Sequence, residues 1–315
     1  MKKVLVVHYS QSGQLSRVAE HFTQPLVDAP DIDVRFEALV PCEPFPFPWP
    51  ILRFFDAMPE CVYLDSPPLM PLTVDDSESF DLVILAYQVW FLSPSLPTTA
   101  FLKSDSAQRL LHGKSVITLI ACRNMWLMAQ EEVKNLLSGM GARLIGNVAL
   151  VDEAGSIWSF LATPIWVLTG RKGPLLGGLV PRAGVAEAEI RACSRFGERI
   201  LERFRAASSM DMDLLKNLGA VQVDEALISS EKMGRRGFRI WGKLLRRVGP
   251  PGSNRRKPIL IVYFIFLLTF ILTFVPISMF IQKLLSLRTK MRVAEQKQYF
   301  SQPSGSEFID PAQRP

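Results

Sequence analysis

The sequence predicts an α/β domain, with a parallel sheet covered by helices on both faces, followed by a C-terminal membrane helix. Short β-rich apolar segments alternate with helical patterns as far as residue 207, which is the order of a doubly wound sheet. A run of 25 residues without charge, 258–282, follows near the end of the chain. The 315 residues are 48% apolar and 21% charged, which excludes a mainly disordered protein.

Five segments have the composition of strands. They are residues 3–8, 32–40, 80–87, 115–121 and 142–151. The second segment alternates apolar residues with Asp33, Arg35 and Glu37, so we expect an edge strand with one solvated face. Helical spacing follows the first strand and recurs near 97–103, in 126–140 and in 185–204.

A turn rich in hydroxyl groups joins the first strand to the first helix. The hydroxyls of Ser10 and Ser12 can donate to a phosphate, Gly13 lets the backbone approach, and the helix N-terminus offers free N–H groups. Ser12 could equally serve only to cap the helix.

The cysteines and histidines argue against a disulfide scaffold or a metal site. The four cysteines (Cys42, Cys61, Cys122 and Cys193) are scattered and form no CxxC pair, and the three histidines lie far apart. The first apolar run is too short for a signal peptide, so we expect a reducing, cytoplasmic compartment for the N-terminal domain.

Charge is distributed unevenly along the chain. Residues 1–207 carry 19 basic and 22 acidic residues, whereas 208–315 carry 17 and 8. A basic half suggests either nucleic acid or a membrane as partner. The basic segment directly precedes the uncharged run, so we expect membrane lipid, contacted through 235–282, and no nucleic acid.

The uncharged run is long enough to span a hydrocarbon core, which takes about 20 residues. Before it, 235–257 holds nine basic residues and no acid, with Phe238, Trp241, Leu245 and Val248 at helical spacing. This pattern predicts an amphipathic helix lying in the plane of an anionic surface. Within about 20 residues of the run, seven basic residues precede it and five follow it, which favours a cytoplasmic N-terminal domain. Pro276 leaves a re-entrant insertion open.

Three motifs resemble the flavodoxin-like family, in particular its quinone-reductase and NADPH-dependent FMN-reductase branch. They are YSQSG after the first strand, FDLVILAYQVWFLSPSLPTTAFL around the third, and GKSVITLIACRNMW around the fourth. The resemblance covers roughly 1–207. It implies a five-stranded parallel sheet in the order 2-1-3-4-5, with FMN at the carboxyl ends of the strands near the switch between strands one and three.

The resemblance also implies which residues bind FMN, loop by loop. The phosphate would be held by the first loop: Ser10, Gln11, Ser12, Gly13, Gln14 and Leu15. The flavin ring would be met by Gln88, Val89, Trp90 and Phe91, and on a third side by Ala121, Cys122, Arg123 and Asn124. Leu15 departs from the family pattern by removing a hydroxyl donor, and the third loop lacks the usual glycines. Arg123 could lie near the phosphate, near the polar edge of the flavin, or on the surface.

Two insertions interrupt the family pattern. The first, 41–60, alternates proline with aromatic residues and predicts a stiff extended segment, either a ligand for a partner domain or an apolar wall over the flavin. The second, 154–181, contains the uncharged stretch 154–170 and predicts a packed insertion, a membrane-dipping loop or the wall of an alkyl channel.

We therefore predict a membrane-tethered FMN oxidoreductase, NAD(P)H-linked, with a lipophilic substrate. His8, Tyr9 and Tyr87 are the candidate proton donors. The resemblance extends to flavodoxin-like proteins encoded with dialkylresorcinol biosynthesis, which would make the substrate a dialkyl-cyclohexanedione; a membrane quinone is the other possibility. The alternative is a membrane-anchored scaffold or electron carrier.

The predicted organisation is a domain over 1–207, a linker and basic helix over 208–257, the membrane segment, and a basic then disordered tail over 283–315. The oligomeric state stays open.

Overall fold

The computed structural model describes residues 1–152, 155–174, 176–178, 181–206 and 208–304, without the side chains of 155–161, 176, 271–272 and 274–293. The strands are β1 (Lys2–His8), β2 (Ile32–Ala38), β3 (Leu82–Tyr87), β4 (Val89–Trp90), β5 (Ser93–Pro94), β6 (Ser115–Cys122) and β7 (Arg143–Val151). The helices are α1 (Gln14–Val27), α2 (Ile51–Asp56), α3 (Met58–Val62), α4 (Leu96–Leu102), α5 (Asp105–Leu111), α6 (Leu127–Gly139), α7 (Gly155–Thr169), α8 (Glu187–Ala192), α9 (Ser194–Arg205), α10 (Glu225–Val248) and α11 (Lys257–Ser301).

The main sheet has five parallel strands in the order β2-β1-β3-β6-β7. Because β4 and β5 form a separate antiparallel hairpin, this order is the predicted 2-1-3-4-5, and the α/β prediction is confirmed. All six residues of β3 are buried, as expected for a central strand covered on both faces.

The edge strand β2 differs from its predicted alternation. Glu37, expected to face solvent, is only 1% exposed. Its carboxylate accepts hydrogen bonds from the N–H groups of Thr73 and Val74 and from the Thr73 hydroxyl, at 2.6 to 2.9 Å. A loop from the following connection covers this end of the strand and satisfies the buried charge.

The predicted helix over 185–204 is two helices, α8 and α9, which meet at Cys193. Helix α9 packs closely on α1, where the rings of Phe22 and Phe196 stack at 5.7 Å between centroids. At Gly197 an added Cβ would lie 2.2 Å from the carbonyl oxygen of Phe22, so only glycine permits this approach.

The core does not end at residue 207, where the sequence placed the domain boundary. Leu214, Leu215, Val221 and Ile228 are buried in the same core as the sheet. The backbone of β7 also donates from Ala149 to a carbonyl of this segment at 2.8 Å. Residues 214–228 therefore belong to the α/β domain and are not a linker.

The apolar face predicted for lipid on α10 packs on protein instead. Leu245 is fully buried, and Phe238 and Trp241 are partly buried, in a second cluster formed with α2, α3 and the start of α11. The Trp241 and Tyr263 rings lie 5.2 Å apart. Sequence spacing identified the apolar face correctly but could not identify what covers it.

Helix α11 contacts the α/β domain at both of its ends. Near its start, the Tyr263 ring lies 5.7 Å from that of Phe55. Near its end, Lys297 pairs with Glu225 at 2.9 Å, and Phe300 is buried in the main core. The start of the predicted disordered tail is also ordered, because Ser304 is buried and accepts a hydrogen bond from the backbone of β7, whereas 305–315 lie outside the described residues.

Across the described part of the chain, no helix has the combination of length and apolar composition that a membrane crossing needs. Within the predicted span, 258–282, the side chains of 271–272 and 274–282 lie outside that part.

Candidate functional site

The candidate site lies where the loops after β1, β3 and β6 leave the carboxyl edge of the sheet. In the first loop, Ser10 Oγ accepts a hydrogen bond from the N–H of Leu15 at 3.1 Å, which satisfies one N–H group in the first turn of α1. Gly13 adopts the left-handed conformation (φ 78°), and no atom lies within 4 Å of the position a Cβ would take. Within the described residues, the N–H groups of Ser12 and Gly13 donate to no protein acceptor. The loop therefore presents free donors on an open, glycine-lined surface.

Two residues expected in the phosphate loop face elsewhere. The side chain of Leu15 is 1% exposed and belongs to the core. The Gln14 amide exchanges hydrogen bonds with the backbone of Val185, at 3.3 and 3.4 Å. The motif places both residues in the first loop or at the start of α1, but the helix directs their side chains into the domain. Ser10, Ser12 and Gly13 remain the candidates for holding a phosphate.

The second loop is a tight hairpin in which β4 pairs with β5. Its two turn residues, Phe91 and Leu92, have φ values of 49° and 58°, a conformation that usually requires glycine or asparagine. This strained turn sends the side chains of Trp90 and Phe91 in different directions. Phe91 packs in the second cluster, with its ring 4.7 Å from that of Phe54.

Trp90 is the centre of an aromatic wall at this edge of the sheet. Its ring lies 5.1 Å from Phe45, 5.6 Å from Trp49 and 5.9 Å from Tyr9, in edge-to-face arrangements. The side-chain amide of Gln11 donates to the carbonyl of Pro46 at 2.8 Å. The proline–aromatic insertion thus closes against both the first and the second loop, as the wall interpretation requires.

The second insertion joins the same wall from the other side. The N–H of Trp49 donates to the carbonyl of Val167 in α7 at 2.9 Å, and the rings of Phe47 and Trp166 lie 6.2 Å apart. The residue Ala154, where the insertion was expected to begin, lies outside the described residues. The described part of α7 therefore packs on the first insertion.

The third loop follows β6 and is partly buried. The N–H of Asp152 donates to the carbonyls of Cys122 and Arg123, at 3.0 and 3.2 Å, which joins the loop to the end of β7. Burial lowers the pKa of Arg123 to about 10, and the charges of Glu231 and Asp152 oppose this shift. Arg123 therefore stays charged at neutral pH. Ala121 and Asn124 are also partly buried in this loop.

The three candidate proton donors have different environments. The hydroxyl of Tyr87 is fully buried and donates to Gln130 at 2.7 Å, in a polar chain that continues to Thr118, so it has no access to a ligand. Burial lowers the pKa of His8, whose ring meets Phe36 on the β2 side. Tyr9 alone touches the wall, and burial raises its pKa to about 12.

Sequence reasoning missed two residues of α10, one that contacts the first turn of α6 and one that reaches the second loop. Glu231 accepts a hydrogen bond from the N–H of Met128, at the start of α6, at 3.0 Å. Arg235 donates to the carbonyl of Leu92 in the second loop at 3.0 Å. Both side chains are buried. The only sequence signal for them is their opposite charge at positions four apart on a basic helix.

The described residues fit an FMN phosphate in part. The free N–H groups at Ser12 and Gly13, the open left-handed glycine and the absence of an acidic side chain in 9–15 suit a phosphate dianion. The Trp90 wall offers an aromatic surface beside this loop. Against the fit, the N–H of Gln11 already donates to Gln88 Oε1 at 3.3 Å, which links the first two loops directly.

Comparisons with known proteins give matches at low similarity only. No family model matches the chain, and no curated protein matches it. Among solved structures, a flavoprotein from Lactobacillus acidophilus NCFM in complex with FMN is 19% identical, covering 47% of this chain and 93% of its own, with a TM-score of 0.38. Oxidised flavodoxin 1 from Bacillus cereus is 13% identical, covering 64% and 98%, with a TM-score of 0.34. The Trp repressor binding protein from Bacillus subtilis is 14% identical, covering 62% and 99%, with a TM-score of 0.32.

Proposed function

We propose that this protein is a membrane-tethered, FMN-dependent oxidoreductase, NAD(P)H-linked, that acts on a lipophilic substrate. The observation that carries the proposal is the meeting of an open phosphate-type loop with the aromatic wall around Trp90, at the switch between β1 and β3. In doubly wound sheets this switch is the usual ligand crevice.

The chain's own residues would bind and shield the cofactor. The N–H groups of Ser12 and Gly13 would hold the phosphate, with the hydroxyl of Ser12 as a further donor. Trp90, backed by Phe45 and Trp49, would contact one side of the flavin and exclude water from it. FMN supplies the transfer of electrons or hydride when it is bound.

An apolar substrate is supported by the aromatic contacts that continue from the wall towards α11. Trp49 contacts Phe54 at 5.7 Å, Phe54 contacts Phe55 at 5.2 Å, and Phe55 contacts Phe264 of α11 at 5.5 Å. A quinone would take up two electrons and two protons; NAD(P)H would supply both electrons and one proton as hydride, and solvent the second proton. A dialkyl-cyclohexanedione would instead lose two electrons and two protons to become a resorcinol, so a quinone or oxygen would have to accept them.

Membrane attachment is supported by exposed apolar side chains on α10, at positions other than the predicted apolar stripe, and on α11, within the predicted membrane segment. On α10, Ile240 is 71% exposed and Leu244 43%, beside the exposed basic residues Lys243 and Arg247. On the first turns of α11, Ile261, Val262, Ile265, Phe266 and Leu268 are each at least 45% exposed. Apolar side chains beside basic ones suit an anionic lipid surface.

The re-entrant form of attachment suits the contacts at both ends of α11. A single crossing of a hydrocarbon core about 30 Å thick would put the two ends of the segment on opposite sides. Here both ends contact the same domain, through Tyr263 and Lys297. The proposal therefore keeps the α/β domain and both ends on one side, the cytoplasmic side.

Chain-length dependence tests the substrate class. Detergent-solubilised full-length protein would be mixed with NADH or NADPH and with quinones of increasing alkyl length, and turnover would be followed by the loss of reduced nucleotide. Each buried methylene contributes about 0.8 kcal/mol, so four more carbons should raise kcat/KM roughly a hundredfold. Turnover that does not change with chain length would count against a lipophilic substrate.

A scaffold or electron carrier without substrate chemistry of its own is the second candidate. The hydrogen bond from the Gln11 N–H to Gln88 closes the first two loops on each other without a ligand, which favours a fold that no longer binds FMN. Colourless purified protein that stays colourless after incubation with FMN would support the scaffold. A yellow protein that reduces only other proteins would support the carrier.

A further inference from the structure

Helix α10 contacts the second loop of the candidate site and the start of α6, the helix that follows the third loop, through one pair of buried side chains. Arg235, 9% exposed, donates from Nη1 to the carbonyl of Leu92 at 3.0 Å and to that of Met128 at 3.2 Å. Its Nη2 donates to the carboxylate of Glu132 on α6. One guanidinium therefore joins the second loop to the helix that follows the third.

Glu231 lies one turn earlier on α10 and contacts the first turn of α6. It is fully buried, and one carboxylate oxygen accepts from the N–H of Met128 at 3.0 Å. Its other oxygen, Oε1, has no hydrogen-bond partner among the described residues. The carboxylate also interacts electrostatically with Arg123, so Glu231 links α10 to the third loop as well as to the start of α6.

We propose that Glu231 and Arg235 are positioning residues of the cofactor site, and that they clamp the second and third loops into the arrangement that binds FMN. The inference rests on the proposed FMN site. The pair makes α10 part of that site, because Arg235 holds the Leu92 carbonyl of the second loop and Glu231 holds the start of α6, directly after the third loop.

The clamp gives the strained hairpin a specific restraint. Leu92, whose carbonyl Arg235 holds, is one of the two turn residues with positive φ, and Trp90 precedes that turn by one residue. Such a conformation persists only where its surroundings impose it. Releasing the Leu92 carbonyl should therefore let the turn relax and move Trp90 away from the phosphate loop.

The test compares FMN affinity with local hydrogen exchange in the full-length protein. Arg235→Met and Glu231→Ala remove the clamp, whereas Arg235→Lys and Glu231→Gln keep a donor or an acceptor at the same place. Arg236→Met, on the exposed side of the same helix, is the matched control. FMN dissociation constants would come from flavin fluorescence quenching, and exchange would be followed without FMN.

The clamp predicts at least about a tenfold weaker FMN affinity in Arg235→Met and Glu231→Ala, the size of one lost hydrogen bond to a charged group. It also predicts faster exchange confined to peptides covering 88–94 and 122–130. The conservative variants should recover most of the affinity, and Arg236→Met should match the wild type.

Unchanged affinity and exchange in Arg235→Met, or faster exchange spread evenly over the whole domain, would overturn the clamp. If the wild type itself binds no FMN, the proposed function fails and so does the cofactor role of the pair. The exchange of the two loop peptides then decides separately whether the pair holds the loops.

Discussion

Gly13→Asp is the perturbation that acts most directly on the proposed phosphate loop. The residue has a φ of 78°, and no atom lies within 4 Å of the position of an added Cβ. Steric cost is therefore limited to the left-handed backbone, about 1 kcal/mol. A carboxylate roughly 6 Å from a phosphate dianion, at an effective dielectric of about 20, adds about 4 to 5 kcal/mol of repulsion.

FMN affinity should therefore fall by roughly a thousandfold or more, while the domain stays folded. Isothermal titration with FMN measures the affinity, and thermal unfolding measures the fold. Gly13→Asn carries nearly the same volume without the charge, so it isolates the electrostatic part. Gly113→Asp places the same carboxylate at a second left-handed glycine (φ 72°) with equally open surroundings, after α5 and outside the three loops.

Two outcomes would refute this reasoning. If Gly13→Asp binds FMN within about threefold of Gly13→Asn, no phosphate lies near the loop. If Gly113→Asp loses FMN to the same extent, the effect comes from destabilisation and not from charge at the site.

Three further predictions concern the fold and its pH dependence. Gly197→Ala should lower the free energy of unfolding in urea by about 1 to 3 kcal/mol, because its Cβ would lie 2.2 Å from the backbone of α1. Gly139→Ala, whose Cβ would have no atom within 4 Å, should cost little. Equal losses in the two variants would contradict the close packing of α9 on α1. Arg256→Met should lower stability by about 3 to 5 kcal/mol, because it leaves the buried carboxylate of Glu60 on α3, 2.9 Å away, without this partner. Arg255→Met, at an exposed position, should be neutral. A neutral Arg256→Met would show that the ion pair is not formed. Burial raises the pKa of Glu231 to about 7, above its unfolded value, so the native state holds a proton that the unfolded state loses, and stability falls as pH rises from about 4.5 through 7. Glu231→Gln should remove this fall, which is worth up to about 3 kcal/mol. A variant whose free energy of unfolding keeps the wild-type pH profile would contradict this account.

The sheet could be predicted from the sequence because each strand is a short apolar run with turn residues on both sides. The first loop could be located for the same reason, since a strand, a hydroxyl-rich turn and a helix follow one another directly. Side-chain direction within the loops could not be predicted in the same way. Leu15 and Gln14 lie in the motif yet face the core and Val185, because α1 begins immediately after Gly13.

The role of α10 could not be read from its sequence because its partners are distant in the chain. Phe238 and Trp241 form an apolar stripe that suits either lipid or protein, and the residues that cover it, such as Phe55, lie about 180 positions earlier. The same separation hid the contact between Arg235 and Leu92, which are 143 positions apart. Helical periodicity reports that a face is apolar or charged, but only tertiary contacts report what that face meets.

An absorbance spectrum of the full-length protein, purified in detergent, tests the central claim most directly. The protein should be yellow with the two bands of oxidised flavin, and denaturation should release an equimolar amount of a compound with the mass of FMN. Gly13→Asp purified in parallel should be colourless. A colourless wild-type protein that does not take up added FMN would contradict the account of the three loops as a cofactor site.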